Sequence, residues 1–340
     1  MDPIAPAAVP LPRFLQIEPV GQCNLRCRMC PIQFRTDGSP GGPPAFLELD
    51  TFRRLIEQFP HLAELHLQGL GEPLMHPEFF AMVRYAVARG IEVSTNSNLT
   101  VLSERRAAEC VASGLSRIHV SIDGATASTY EYIRVRSRYE RVMRNVRRLL
   151  AARAAAGAAA PEIRLVAVAM RTNLHELVGL VRLAYELGTP HLSVQHLCHD
   201  YGEASLPAQY RPMRAFIDAE TLLGADPDEV QACFEQARTT AAELGVTLRL
   251  PRIEPKPFAE QVDGRSRCDW PWRGAYLSYN GEAMPCCMVS TPDRISLGNM
   301  ARDGAAAVWQ GVAYETFRDQ LANGPPPEIC RSCSLYHGTF

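Results

Sequence analysis

The chain has 340 residues, 46% of them hydrophobic, with 35 basic against 37 acidic side chains and a formal net charge of −2. That length suits one large α/β domain plus a small appendage, and the near-cancelling charge gives no electrostatic basis for nucleic acid or a membrane surface as partner. No apolar stretch approaches the roughly 20 residues needed to cross a bilayer, and the opening Met1-Asp2-Pro3-Ile4 lacks the basic and apolar segments of a secretory signal, so the expected location is the cytoplasm.

After an N-terminal arm, residues 1–13, short β-rich runs alternate with helical apolar spacing. Strands are predicted at 14–18, 64–68, 92–95, 117–122, 163–169 and 191–195, and helices at 50–59, 76–89, 103–113, 139–155 and 174–187. Asp50, Ser103 and Asn173 read as N-caps, and Gly90, Gly114 and Gly188 as helix stops. Six β–α repeats over residues 14–200 mean a parallel sheet, open or curled into a barrel. In both arrangements the ligand face is the set of loops after the strand C-termini. A connector, 201–262, carries helical patterns at 212–223 and 228–244, a strand at 246–250, and the linker prolines Pro251, Pro255 and Pro257. The last part, 263–340, is turn-rich and ends in a helix-like stretch at 314–322. It is too small for a core of its own and needs a metal staple or docking on the main domain.

Eleven cysteines are present, and a reducing compartment has no use for them as disulfides. Clustered cysteines in such a chain bind metal or do chemistry. Cys23, Cys27 and Cys30 share one loop after the first strand, and thiolates are the soft donors that iron–sulfur clusters take. Three of them leave one iron of a four-iron cubane open. Zinc is the competing reading, although it ordinarily wants a fourth ligand and no nearby His completes the set. Cys268, Cys286, Cys287, Cys330 and Cys333 form a second group, for which a four-thiol zinc site is again the alternative. Cys286 and Cys287 compete for one position. Cys110 and Cys233 read as packing residues.

The Cys23-x3-Cys27-x2-Cys30 spacing after a first strand resembles the signature of the radical S-adenosylmethionine superfamily. So do Gly69-Leu70-Gly71-Glu72-Pro73, Thr95-Asn96-Ser97, Ser121-Ile122-Asp123-Gly124, and Tyr132-Ile133-Arg134 followed by Tyr139, Val142 and Asn145. Each lies at a predicted strand end or the loop after it. The resemblance implies a partial (β/α)6 TIM-type barrel and a [4Fe–4S] cluster on Cys23, Cys27 and Cys30 whose open iron chelates S-adenosylmethionine. It further implies that Met29, Gly71, Glu72, Asn96, Ser121 and Arg134 bind the cofactor. Glu72 would partner its ammonium group, Arg134 its carboxylate, and the Asn96 stretch would lie against the ribose. Ser97 departs from the family's glycine. Without the resemblance, Glu72 is an acid at a helix start and Arg134 an exposed helix arginine. The C-terminal layout, Cys268…Gly281-x4-Cys286…Cys330-x2-Cys333, resembles the shortened "twitch" form of the SPASM domain. It implies four thiolates around one auxiliary [4Fe–4S] cluster.

The activity so implied is reductive cleavage of S-adenosylmethionine to a 5′-deoxyadenosyl radical, fed by an external one-electron donor such as flavodoxin or ferredoxin. The radical would abstract hydrogen from a small hydroxylated metabolite, in a dehydrogenation or an epimerisation. The alternative is maturation of a ribosomally made peptide, and outside enzymes a metal-binding interaction protein. Cys198, His199 and Asp200, after the sixth strand, are the candidate catalytic residues, as base or hydrogen-atom donor. Their plainer readings are a buried small hydrophobe and a hydrogen-bonded turn. The Gly- and Pro-rich loop at 36–45 is positioned to shape a peptide or sugar groove.

Overall fold

The computed structural model of the chain describes residues 9–36, 45–197, 201–254 and 268–339. The first seven strands run in one direction: β1 (Phe14–Ile17), β2 (Glu64–Leu67), β3 (Glu92–Ser97), β4 (Arg117–Ser121), β5 (Glu162–Ala169), β6 (His191–His196) and β7 (Thr247–Arg249). Each pairs in parallel with the next in sequence. The crossovers carry helices α1 (Leu49–Glu57), α2 (Phe79–Val87), α3 (Glu104–Ala112), α4 (Ala127–Ile133), α5 (Tyr139–Ala155) and α6 (Leu177–Glu186), with α7 (Arg211–Glu220) and α8 (Pro227–Leu244) between β6 and β7. This is the mixed α/β, parallel-stranded architecture of a partial TIM-type barrel.

Helix boundaries follow local chemistry. Ser103 caps α3 by accepting from the Arg106 amide at 3.3 Å, and Gly90, Gly114 and Gly188 all take left-handed φ at helix ends. Asp50 is not a cap. Glu48 holds that position without a side-chain bond, and Asp50 pairs with Arg53 at 2.9 Å. Asn173 turns its amide to the Asp123 and Val168 carbonyls, so 171–176 forms a 3-10 turn and α6 starts afterwards. The short α4, not foreseen, is fastened at its start by the Glu176 carboxylate, which accepts from the Ala125 amide and the Thr126 and Thr129 hydroxyls at 2.6–2.7 Å.

The C-terminal part docks rather than standing alone. Its strand β8 (Gly274–Leu277) pairs in parallel with β1 and is followed by the antiparallel β9 (Ala283–Met284), so the sheet order is β7-β6-β5-β4-β3-β2-β1-β8-β9. Leu15, Ile17, Met284, Trp309 and Tyr314 belong to one continuous apolar core. The chain after β6 meets the loops after β9. Glu203 and Arg294 form a two-pronged buried ion pair at 2.7 and 2.9 Å, and Gly202 and Ala204 donate to Ser332 and Glu328.

Along each strand one parity faces the helices and the other the lumen. The lumen side is polar. Gln16, His66 and Ser94 stand in register on β1, β2 and β3, and Asn96 stands opposite His119 on β4. His66 bonds the Ser94 hydroxyl at 2.8 Å, with the His119 ring 6.2 Å away. Burial, with each neighbouring positive group adding to it, lowers His66 to about 3 and His119 to about 4, from 6.5. In the unfolded chain both rings protonate near 6.5. Below that pH the unfolded state binds more protons than the folded one, so stability falls as pH drops. Urea midpoints should therefore decline from about pH 6.5 toward pH 4, and His66→Gln should flatten that decline. An unchanged slope in the variant would show that other groups govern it.

Candidate cofactor and cluster sites

The loop after β1 is held on two sides. The Arg26 and Arg28 amides donate to the Val135 and Ile133 carbonyls at 3.0 and 2.9 Å. On the other side the Glu72 amide donates to the Gln22 carbonyl at 2.9 Å. The Cys30 amide closes a turn on the Cys27 carbonyl. Cys23, Cys27 and Cys30 thereby come within electrostatic reach of one another. Burial raises all three thiols above 9.0, Cys30 to about 12, and the neighbouring thiols push Cys23 and Cys30 further up. Three sulfurs that resist deprotonation next to each other need a multiply charged cation before they can act as thiolates. This donor set fits an iron–sulfur cluster.

Gly71 packs where a Cβ would collide with the carbonyl oxygens of Val20 and Gln22. Its amide and that of Leu70 point at Glu18 Oε1, at 3.4 and 2.9 Å. Glu18 is fully buried and paired with Arg35 at 2.7 Å. Gly71→Ala must displace this loop, and a shift on the order of 1 Å costs up to about a hundredfold in a positioned site. The expected result is a comparable loss in the rate of 5′-deoxyadenosine formation by reconstituted protein, with iron content unchanged. An unaltered rate would count against a cofactor role for this loop.

Glu72 is buried, and its carboxylate accepts from the Ser97 hydroxyl at 2.6 Å and the Asn98 and Leu74 amides at 2.7 and 3.1 Å. Burial raises its pKa, against those three donors. It is not an exposed helix acid. Ser97, where the family has glycine, thus supplies a hydroxyl to Glu72. Asn98 lies between the two motifs: its side-chain amide is 3.7 Å from Cys23 Sγ and 3.2 Å from Asn24 Oδ1. The loop reaches it through Leu99, at φ +56°, whose carbonyl accepts from Asn145 at 2.7 Å.

Arg134 is also buried, ion-paired to Asp123 at 2.7 Å. Burial opposes its charge, but Asp123 and Cys27 more than restore it, leaving its pKa above normal. Its charge in turn offsets part of the effect of burial that raises Cys27, Cys30 and Glu72. Ser121 ends β4 and Asn96 sits on the lumen side of β3, both half-buried. Met29 packs against a second apolar cluster of Ile133, Met170, Leu197, Tyr201, Tyr210, Met213 and Ile217. The structure therefore gathers the three cysteines, Gly71, Glu72 and Arg134 at one end of the barrel. Sequence reasoning passed over Glu18, Asp123 and Asn98 as site residues. An acid closing an apolar strand was a signal for Glu18, and Asp123 lay within a quoted motif. Nothing marked Asn98. Cys198, His199 and Asp200, and most of the 36–45 loop, lie outside the described residues.

In the C-terminal part, Cys286 is within electrostatic reach of Cys268, Cys287, Cys330 and Cys333. Burial and then those sulfurs raise it well above 9.0. Cys330 is raised likewise, by burial and then by Cys333 and Cys268. Gly281, at φ +85°, turns the chain so that β9 returns toward Cys286. Cys333 closes a turn on the Cys330 carbonyl at 3.2 Å. This donor set also suits a cluster with all four corners held by the protein.

Comparison with known proteins follows the same division. The family model described as the radical SAM superfamily matches residues 17–156, and that of an iron–sulfur cluster-binding domain, SPASM, matches 268–334. A tungsten-containing aldehyde ferredoxin oxidoreductase cofactor-modifying protein of Pyrococcus furiosus is 25% identical, over 95% of this chain and 87% of its own. A PqqA peptide cyclase of Xanthomonas campestris pv. campestris is 24% identical, over 96% and 80%. Among solved structures, SuiB of Streptococcus suis bound to its precursor peptide SuiA superposes with a TM-score of 0.70 at 16% identity, covering 96% of this chain and 71% of that one. The two matched ranges span the two groups of cysteines, and the chain belongs to the radical S-adenosylmethionine superfamily, with a C-terminal SPASM iron–sulfur domain.

Proposed function

We propose that this enzyme removes a hydrogen atom from a carbon of a ribosomally made peptide. When bound, the first cluster and S-adenosylmethionine together supply a one-electron cleavage that yields methionine and the 5′-deoxyadenosyl radical. The chain's own contribution is orientation and exclusion of water. Cys23, Cys27 and Cys30 hold the first cluster; Gly71 and Glu72 receive the ammonium group; Arg134 faces the carboxylate; Asn96, Ser121 and Met29 line the remainder. Cys268, Cys286, Cys330 and Cys333 hold the auxiliary cluster, to which Cys286, central among the sulfurs, is better suited than Cys287. Cys198, His199 and Asp200 remain the proposed base or hydrogen-donor set.

The observation that carries the peptide reading is the span of the likeness to a peptide cyclase: it runs through both sulfur sites, over 96% of the chain. It ranks above the small hydroxylated metabolite expected from the sequence. A small-molecule substrate keeps one supporting observation, the equally similar cofactor-modifying relative. The test is release of 5′-deoxyadenosine by reconstituted, reduced enzyme, stimulated by peptides encoded near its gene or by a panel of hydroxylated metabolites. A peptide should stimulate release and lose mass equal to the hydrogens removed. Stimulation by a metabolite alone, with every peptide unchanged in mass, overturns the reading.

A further inference from the structure

The near-zero total charge conceals a strongly basic face beside the first cysteine loop. Between residues 132 and 148 the chain carries seven arginines against one acid, Glu140. Helix α5 turns Val142, Met143, Val146 and Leu149 into the core, so Arg138, Arg141, Arg144 and Arg147 come out on the opposite side, all exposed. Arg138 is neutralised by Glu131 at 2.7 Å. Arg136, in the turn before α5 at φ +73°, is exposed as well.

The segment leading into this face adjoins the cysteine loop. Backbone bonds from Arg26 and Arg28 to Val135 and Ile133 lay residues 26–28 directly along residues 133–135. Arg28, between Cys27 and Cys30, is itself exposed. Its guanidinium lies 4.1 Å over the ring of Tyr132 and donates to the Tyr132 carbonyl at 2.8 Å. Tyr132 is 49% exposed, one of three exposed large hydrophobic side chains among the described residues. A half-open aromatic ring under an arginine, in a stretch of chain rich in exposed arginines, has the composition of a small interaction surface.

We propose that Arg28, Tyr132, Arg136, Arg141 and Arg144 form the docking surface for a small acidic protein that delivers single electrons to the Cys23–Cys30 site. The proposal rests on the superfamily assignment, which requires an electron from outside. Electron transfer falls steeply with distance, and this is the surface that includes a residue of the cysteine loop itself. Electron-transfer encounters are small and weak, so charge complementarity has to supply the orientation and the rapid association. A cationic face around one exposed ring meets that need. One electron enters and reduces the cluster; no atoms are transferred.

The test compares R136E/R141E/R144E, which leaves Arg28 and the cysteine loop intact, with the unaltered holoenzyme. Formation of 5′-deoxyadenosine is driven either by dithionite or by flavodoxin with its reductase, at low and at high salt. The expected result is a fall of about tenfold or more in the flavodoxin-driven rate at low salt, with weaker salt dependence and a dithionite-driven rate within about twofold. The charge-neutral R136Q/R141Q/R144Q should fall in between. An unchanged flavodoxin-driven rate overturns the proposal, and so does a parallel fall with both reductants, which would mean damage to the site. Loss of nucleic-acid retention with donor kinetics unchanged also overturns it. A wild-type enzyme that makes no 5′-deoxyadenosine even with dithionite would sink the assigned chemistry instead.

Discussion

Cys27→Ala is expected to reduce 5′-deoxyadenosine formation to the level of a cofactor-only control and to remove about half of the protein's iron, from about eight to about four per chain. Two features make the effect large. Cys27 is the middle ligand of one short loop and is 7% exposed, and the carboxylates within electrostatic reach of it, Asp123 and Glu72, are already engaged by Arg134 and by Ser97 and Asn98. Its sulfur is also the one that Arg134 faces most directly, Arg134 being the first charge to counter its burial. Removing it therefore deletes a ligand and leaves the Arg134–Asp123 pair without its third charge. The remaining iron should stay with Cys268, Cys286, Cys330 and Cys333, and a C268A/C330A variant should lose the complementary half. Iron and acid-labile sulfide analysis with quantified nucleoside product decides the matter. Equal product from Cys27→Ala and wild type would sink the assignment of this loop.

Arg294→Leu should destabilise the protein by about 3–5 kcal/mol, since it strands a buried carboxylate. Both side chains of the Glu203–Arg294 pair are essentially sealed from water. Arg294 also donates to the Val289 carbonyl at 2.8 Å and lies 4.2 Å over the Tyr201 ring. Replacing both partners with leucine removes the stranded charge, so E203L/R294L should recover much of the loss. Urea unfolding of the reconstituted protein measures each, and a double variant as unstable as the sum of the singles would refute the coupling. The pair links the chain after β6 to the loop after β9, so the single variant should also slow turnover. The proposed catalytic residues immediately precede this anchored stretch.

The six-repeat pattern was readable because each lumen-and-helix strand carries its own short apolar run, and because capping residues such as Ser103 and stops such as Gly114 act within a turn. The order of the motifs was readable for the same reason. Each lies on the loop that follows a strand, and parallel strands put all such loops at one end. Asn98 left no trace in the sequence. Its position depends on Leu99 adopting a left-handed backbone that Asn145, 46 residues away on α5, holds in place. The hairpin of β8 and β9 was missed because β8 is buried on both faces and β9 has two residues, so neither shows an alternating pattern. Asp50 was misread as a cap because propensity at a helix start is a weak signal beside the packing of Phe52 and Leu55.

By itself the sequence determined the chemistry of the donors. Three thiols in one loop and a second set near the C-terminus name soft-metal sites, because ligand type is a covalent property that survives any fold. The tertiary structure decided what those donors sit among: Glu72 buried under Ser97 and Asn98, Arg134 held between Asp123 and Cys27, β8 extended from β1. It also decided that residues 133–135, which lead into the exposed arginines of α5, lie along the first cysteine loop although the chain as a whole is nearly neutral. These are questions of distance between residues far apart in the chain. Burial and Coulomb interaction depend on that distance, whereas composition and spacing do not encode it.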